Sequence, residues 1–156
     1  MIPETIDRYL KDHHLAYEHT MHARAIPAQR FAAAEHVSGY KVAKTVVVSL
    51  DGRLALAVVD ATHKVNLNAL RRATGAVQAE LVPEDLFADR FAPCEPGAEP
   101  PLGVFGLPIY VDATVANQPW IVMRGGTHED ALRIDTRTWL ESERARTVQG
   151  LAVETA

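Results

Sequence analysis

A single lysine interrupts the apolar run of residues 42–50, and it is the first candidate for chemistry in this sequence. Because side chains alternate across a strand, Lys44 shares a face with Val46 and Val48, and that face is expected to point inward. An unpaired buried ammonium is costly. Such a lysine therefore extends to the rim of the sheet, pairs with an acid, or faces a cavity that receives an anionic or strongly polar ligand. The sequence pattern alone leaves these possibilities open.

Two glycine-containing segments are the other candidates. Residues 94–103 read Cys-Glu-Pro-Gly-Ala-Glu-Pro-Pro-Leu-Gly, and residues 125–128 read Gly-Gly-Thr-His. Gly97 and Gly126 also fit ordinary turns that need a positive φ, and His128 also fits a turn cap. Each residue taken alone is therefore ambiguous, and a functional interpretation depends on the set.

Other chemistries lack their motifs. The chain has no phosphate-binding loop that ends in Lys-Ser/Thr and no dinucleotide fingerprint, and no serine has the glycines of a nucleophile elbow. The histidines do not show metal-ligand spacing, and one cysteine offers no thiolate cluster. We therefore expect neither a metal nor a cofactor.

Size and charge limit the function classes. A chain of 156 residues with 47% hydrophobic residues fits one globular domain that buries its own core. The single Cys94 cannot form an intramolecular disulfide, no apolar run approaches a membrane span, and residues 1–4 lack signal-peptide features. These features predict a soluble cytoplasmic protein. A net charge of −4 argues against a general nucleic-acid binder such as a DNA-binding protein, so any phosphate-facing surface should be local.

The pattern of elements predicts an α+β fold. Two apolar runs flank Asp51-Gly52 and predict a β-hairpin, Pro3 and Pro27 each open a helix, and Thr138 with Glu141 predicts a capping box at the start of the last helix. Strands and helices mix without strict alternation. We therefore expect a single domain over residues 1–142, with a curved mixed, partly barrel-like sheet flanked by helices, followed by a C-terminal tail over residues 143–156.

Four motifs in a fixed order carry a resemblance to a known family. They are Ala43-Lys44-Thr45-Val46-Val47, Gly97-Ala98-Glu99-Pro100-Pro101, residues 106–112 (Gly-Leu-Pro-Ile-Tyr-Val-Asp) and Gly126-Thr127-His128. Together they resemble the YbaK and prolyl-tRNA synthetase-associated domain family over residues 2–140. Members of that family are free-standing or synthetase-inserted domains that hydrolyse mischarged aminoacyl-tRNA.

The resemblance implies a role for each matching position. Lys44 matches the active-site lysine, which engages the terminal nucleotide or the ester region of the substrate. Gly97 and Pro101 match a Gly-x-x-x-Pro loop whose backbone amides approach the aminoacyl carbonyl. Gly126, Thr127 and His128 match the turn that closes the amino-acid pocket.

These implied roles are chemically coherent. Backbone N–H groups and a nearby ammonium can stabilise the oxyanion that develops during ester hydrolysis. His128 or the ribose hydroxyl of the substrate would then activate water. Thr45, Val46 and Phe31 are candidate lining residues of the amino-acid pocket.

The expected function is trans-editing by an aminoacyl-tRNA deacylase that removes a wrongly attached small amino acid, with mischarged tRNA(Pro) as the expected substrate. The partner is the 3′ acceptor end of aminoacyl-tRNA, and docking on a synthetase would supplement affinity. A non-catalytic module that binds tRNA or an acceptor stem is the alternative, and a hydrolase of simple amino-acid esters is a third interpretation. Because one methylene is worth only about 1–3 kcal/mol, alanine, cysteine, serine and threonine esters all stay open.

Overall fold

The hairpin predicted around Asp51-Gly52 forms the centre of the structure, a computed structural model that describes residues 1–154. Strands β2 (Lys44–Leu50) and β3 (Arg53–Val59) pair antiparallel, with Lys44 opposite Val59 at the open end. Valine-rich strands joined by Asp-Gly favour this arrangement because the turn matches the twist of the strands. The register places Lys44 at the end of the sheet farthest from the turn.

A five-stranded mixed sheet grows around this hairpin in the order β5-β2-β3-β6-β9. Strand β5 pairs antiparallel with β2, whereas β6 pairs parallel with β3 and β9 pairs parallel with β6. A three-stranded sheet has the order β1-β8-β7, and β10 pairs with β4. The remaining strands are β1 (Glu18–Met21), β4 (His63–Val65), β5 (Ala79–Leu81), β6 (Ile109–Asp112), β7 (Trp120–Arg124), β8 (Asp130–Asp135), β9 (Arg146–Val148) and β10 (Ala152–Glu154).

Both faces of the central sheet are buried, which explains the nearly continuous apolar run of β2. Val47 packs in the larger core cluster with Leu10 and Trp139, whereas Val48 packs on the opposite face with Leu70. The helices are α1 (Glu4–Asp12), α2 (Ala28–Ala34), α3 (Leu67–Thr74), α4 (Glu84–Phe87), α5 (Ala113–Ala116) and α6 (Thr136–Glu143). The predicted α+β class is confirmed. Within the described residues the sheets do not close into a barrel.

The predicted N-cap of the last helix, Thr138, is wrong by three residues. Helix α6 begins at Thr136, and Asp135 is its N-cap, because the Asp135 carboxylate accepts a hydrogen bond of 2.9 Å from the Thr138 backbone N–H. An aspartate can cap a helix as well as a threonine can, and here it comes at the end of β8, where the chain turns.

The segment that we predicted as a tail contains two strands that join sheets. Strand β9 pairs with β6 at the edge of the central sheet, and β10 pairs with β4. Residues 155 and 156, the last two of that segment, lie outside the described residues. In the part of the chain that the structure describes, no helix is long and apolar enough to cross a membrane.

Candidate active site

A cavity of about 430 Å³ opens between the first residues of β2 and the loop that follows Cys94. Residues 42–45 form one side, which we call the strand wall, and residues 95–99 form the other side, which we call the loop wall. Arg124 and His128 also line the cavity. Three of the four motif segments identified in the sequence therefore meet around one space.

Lys44 is the charged side chain of the strand wall. It is partly buried, and its ammonium donates a hydrogen bond to the backbone carbonyl of His63. Burial lowers the pKa of Lys44, and the nearby Asp60 carboxylate opposes that shift. Within residues 1–154 this is the one hydrogen bond that the ammonium donates, so two of its three N–H donors are left for a ligand.

A turn at Asp60 holds the carbonyl that Lys44 contacts. The buried Asp60 carboxylate accepts hydrogen bonds from the Thr62 backbone N–H at 2.8 Å and from His63 Nδ1 at 2.9 Å. Although burial opposes it, these bonds lower the pKa of Asp60. The turn thus places both a carbonyl and a negative charge near Lys44.

Gly97 forms the tip of the loop wall. Its φ of +83° lies in the left-handed region, and a Cβ at this position would lie 3.0 Å from Glu84 Oε1. Only glycine adopts this conformation without strain. The Gly97 N–H donates a hydrogen bond of 3.0 Å to the side chain of Glu99, so a side chain of the same loop occupies the amide that the family resemblance assigns to the substrate.

The turn at residues 125–128 ties the loop wall in place. Gly126 accepts a hydrogen bond of 2.9 Å from the Glu95 N–H and donates one of 3.0 Å to the Ala98 carbonyl. The His128 N–H donates to Glu95 Oε1 at 2.9 Å. Gly126 has φ +97°, and a Cβ there would lie 2.7 Å from the Pro3 ring, so the turn is pressed against the start of α1.

The ring of His128 faces the loop. It is buried, and its Nε2 lies 2.9 Å from the Pro96 carbonyl. A carbonyl only accepts, so Nε2 carries the proton, and the buried Nδ1 has no hydrogen-bond partner in the described residues. Burial lowers the pKa of His128 and keeps the ring neutral at neutral pH. This geometry suits a side chain that positions the loop.

The remaining predicted residues divide into two groups. Thr45 lines the cavity, and Phe31 lies behind it in the neighbouring core cluster. Val46 packs with Val48 in the core cluster that contains Leu70 and is not among the cavity-lining residues. The side chains of Pro101 and Thr127 are not among the cavity-lining residues: the Pro101 carbonyl accepts a hydrogen bond of 2.9 Å from Trp139, and the Thr127 hydroxyl bonds Asp130.

Sequence reasoning did not single out Arg124 or Glu84, and it included Glu99 only as part of a motif. The Arg124 guanidinium lies 4.5 Å from the centre of the Phe31 ring and donates to the carbonyls of Ala25 and Ile26. Burial lowers the pKa of Arg124 to about 10, so it stays charged at neutral pH. The available signal was a charge at the end of an apolar strand, the same signal that singled out Lys44.

The surroundings of Cys94 disfavour a role as nucleophile. Cys94 is buried next to Gly126, and burial raises the pKa of its thiol to about 12, which disfavours the reactive thiolate. Among residues 1–154 no three histidine, cysteine or acidic side chains are grouped as metal ligands. The chemistry available is that of an ammonium, a guanidinium, carboxylates and a glycine loop.

The fold places the chain in a class of small α+β domains with known structures. A solved structure described as "hypothetical protein APE2540" matches with a TM-score of 0.85 at 17% identity, over 96% of this chain and 100% of that chain. One described as "a putative trans-editing enzyme for prolyl tRNA synthetase" matches with a TM-score of 0.79 at 19% identity, over 96% and 98%. At these identities the likeness is one of fold.

A third structure shows the same fold inside a longer protein. It is described as "a Putative signal transduction protein" from Marinobacter aquaeolei VT8, with a TM-score of 0.75 and 16% identity, and the match covers 99% of this chain and 32% of that one. A search of curated proteins finds no match. The sequence model described as "Aminoacyl-tRNA editing domain" matches residues 22–141. The chain belongs to this family, as the motif resemblance predicted.

Proposed function

We propose that this chain is a trans-editing hydrolase that removes a wrongly attached small amino acid from aminoacyl-tRNA, with mischarged tRNA(Pro) as its expected substrate. Membership of the editing-domain family supports the substrate class. The fold shared with a structure described as "a putative trans-editing enzyme for prolyl tRNA synthetase" supports the choice of tRNA.

The observation that carries the proposal is the position of Lys44. Its ammonium is partly buried at the edge of a cavity, with donors left for a ligand, and Gly97 lies on the opposite wall. Hydrolysis of an ester develops negative charge on the carbonyl oxygen, and a preorganised ammonium in a partly dry site stabilises that charge.

The proposed step is attack of water on the aminoacyl carbonyl. A C–O bond forms, the bond between the carbonyl carbon and the ribose oxygen breaks, and that ribose oxygen takes a proton as it leaves. The proton of the attacking water reaches that leaving oxygen by relay, either through the neighbouring ribose hydroxyl, which accepts one proton as it gives up its own, or through His128, which accepts the proton and then releases it. The buried ring of His128, with Nε2 directed at Pro96, favours the ribose hydroxyl, and His128 then holds the loop wall.

A non-catalytic module that binds the acceptor stem is the second candidate, and one surface feature favours it. The Trp120 ring lies 3.6 Å from the Arg133 guanidinium and 4.8 Å from the Lys41 ammonium. Basic side chains can contact the phosphates of a single-stranded nucleic acid, while its exposed bases stack on aromatic rings. An editing enzyme also needs such a surface, so activity decides between the two candidates.

The test is deacylation of a panel of aminoacyl-tRNAs, including alanyl-tRNA(Pro), by the wild type and by Lys44→Ala. Lys11→Ala is the matched control, because Lys11 is an exposed lysine of α1. We expect hydrolysis of one or a few esters, reduced at least 100-fold in Lys44→Ala and unchanged in the control. Tight binding without hydrolysis of any ester would instead favour the binding module. Equal hydrolysis of minimal amino-acid esters would indicate a general esterase.

A further inference from the structure

Two carboxylates of the pocket lack an ionic partner. Glu99 is 3% exposed on the loop wall, and Glu84 extends from α4 toward Gly97. Among the described residues no cation lies within 4.0 Å of either carboxylate, although the neighbouring Glu95 is paired with Arg24 at 2.8 Å. The loop wall therefore presents negative charge that the protein itself does not neutralise by direct pairing.

Glu99 is the more informative of the two. A buried carboxylate is costly unless it is paired or hydrogen-bonded, and the Glu99 carboxylate accepts its hydrogen bond from the backbone N–H of Gly97. Burial raises the pKa of Glu99 and Glu84 raises it further, whereas backbone N–H groups and the more distant Arg124 lower it. A buried acid beside a second acid, at the edge of an open cavity, suits a ligand that brings a positive charge.

We propose that Glu99, assisted by Glu84, binds the α-ammonium of an aminoacyl ester, and that the pocket selects esters whose amino group is free. This inference rests on the proposed function. In an aminoacyl ester the ammonium is one carbon away from the reacting carbonyl. A carboxylate that holds the ammonium on the loop wall therefore directs the carbonyl toward the strand wall, where Lys44 lies.

A structural role for Glu99 predicts something different. If its carboxylate serves only to accept the Gly97 hydrogen bond, then glutamine, which keeps an acceptor oxygen and nearly the same volume, should substitute well. If its charge binds the ammonium, the glutamine variant should lose activity toward esters with a free amino group and keep its activity toward esters whose amino group is blocked. The variant Glu99→Gln therefore separates the two roles.

The experiment compares each aminoacyl-tRNA that the wild type hydrolyses with its N-acetylated form. We expect the wild type to prefer the free amine by about 10- to 100-fold in kcat/KM, as a charged hydrogen bond would give. Glu99→Gln should lose that preference, mainly through a higher KM, and should hydrolyse the acetylated ester as well as the wild type does. Glu84→Gln should show a smaller loss, and the exposed Glu80→Gln serves as the control.

A binding measurement keeps this inference separate from catalysis. The probe is 3′-alanylamido-3′-deoxyadenosine, an amide that resists hydrolysis, compared with its N-acetyl form by calorimetry. Selective binding of the free amine, lost in Glu99→Gln, would support the inference even if no ester were hydrolysed and the proposed function failed. Equal binding of both forms, no binding of the free amine, or an unchanged preference in Glu99→Gln would overturn it.

Discussion

On the strand wall of the pocket, Lys44 extends from a ladder of seven paired residues, whereas on the loop wall Gly97 and Glu99 lie in a segment with no repeating hydrogen bonds. The strand wall is supported by the core on both faces of the sheet. The loop wall depends on a few contacts from the turn at residues 125–128, each made across about 30 residues of chain. Loss of one of those contacts should therefore directly displace residues that line the pocket.

The two walls of the pocket also differ in charge. The strand wall offers an ammonium, whereas the carboxylate of Glu99 lies on the loop wall and that of Glu84 extends from α4 beside it. A substrate that carries both an ammonium and a reacting carbonyl can lie across the space between them. The distance between the two walls then matters more than the strength of the contact that either wall makes with the substrate. Misplacement of reacting groups by about 1 Å can cost 100-fold in rate.

Among variants of residues that support the two walls, the largest effect is expected from Gly126→Ala, which changes the turn that holds the loop wall. A left-handed alanine costs about 1–2 kcal/mol, and the new Cβ would lie 2.7 Å from the Pro3 ring, where overpacking costs about 1–3 kcal/mol more. We expect a matching loss in the free energy of unfolding, measured with urea, and a loss of deacylation of at least 10-fold.

Gly52→Ala is the matched control for that variant. Gly52 has φ +84° and no atoms within 4 Å of a new Cβ, so it carries the strain without the clash. If the two alanine variants were equally stable and equally active, close packing of the turn against α1 would not support the loop wall.

The next effect is expected from Asp60→Asn, which leaves the loop wall intact and changes the surroundings of Lys44. Asparagine keeps an acceptor for the Thr62 N–H but removes the negative charge that opposes the lowered pKa of Lys44. The pKa of Lys44 should fall further, so the alkaline limb of the pH–rate profile for deacylation should move to lower pH. A reduced rate with an unchanged profile would mean that Asp60 acts only through the shape of its turn.

The difference between the walls also explains what could be predicted from the sequence. Alternation of side chains and an Asp-Gly turn are local signals, so the hairpin and the inward position of Lys44 could be inferred from about 15 residues. The short strands β9 and β10 have no such signal, because their partners β6 and β4 lie far away in the chain. Three residues are too few to show a period.

Prediction of the loop wall from the sequence is limited in a similar way. Its glycines and prolines predict a structured loop, and the order of motifs points to a family, but neither indicates which side chains face the cavity. Glu99 lies in one of the four motifs, but its burial at the cavity and the charges of Glu84 and Arg124 near it result from long-range folding, which no local pattern reveals. Polar residues in long-range contact are the part of a site that a sequence pattern conveys least.

A smaller effect is expected from His128→Gln, measured as stability against pH. Burial lowers the pKa of His128 below its ordinary value near 6.5, so the unfolded chain binds the proton more readily than the folded protein. The stability that this histidine contributes is complete above that value and is lost as the pH falls through the lower folded-state pKa. The difference in unfolding free energy between wild type and variant should therefore shrink from pH 7.5 to pH 5. His14→Gln, at an exposed position, tests whether loss of any histidine gives the same result.

The smallest effect is expected from Arg24→Gln, which removes an ionic contact of the loop wall and leaves its backbone hydrogen bonds in place. Arg24 pairs with Glu95 at 2.8 Å, but its side chain is 50% exposed, so solvent screens the attraction. Because Glu95 also accepts the His128 N–H, its carboxylate should keep its place without Arg24. We expect urea unfolding and deacylation to stay close to the wild type, with any small difference removed by 0.5 M NaCl. A large loss of activity that persists in salt would mean that Arg24 contacts the substrate directly, as Lys44 is proposed to do.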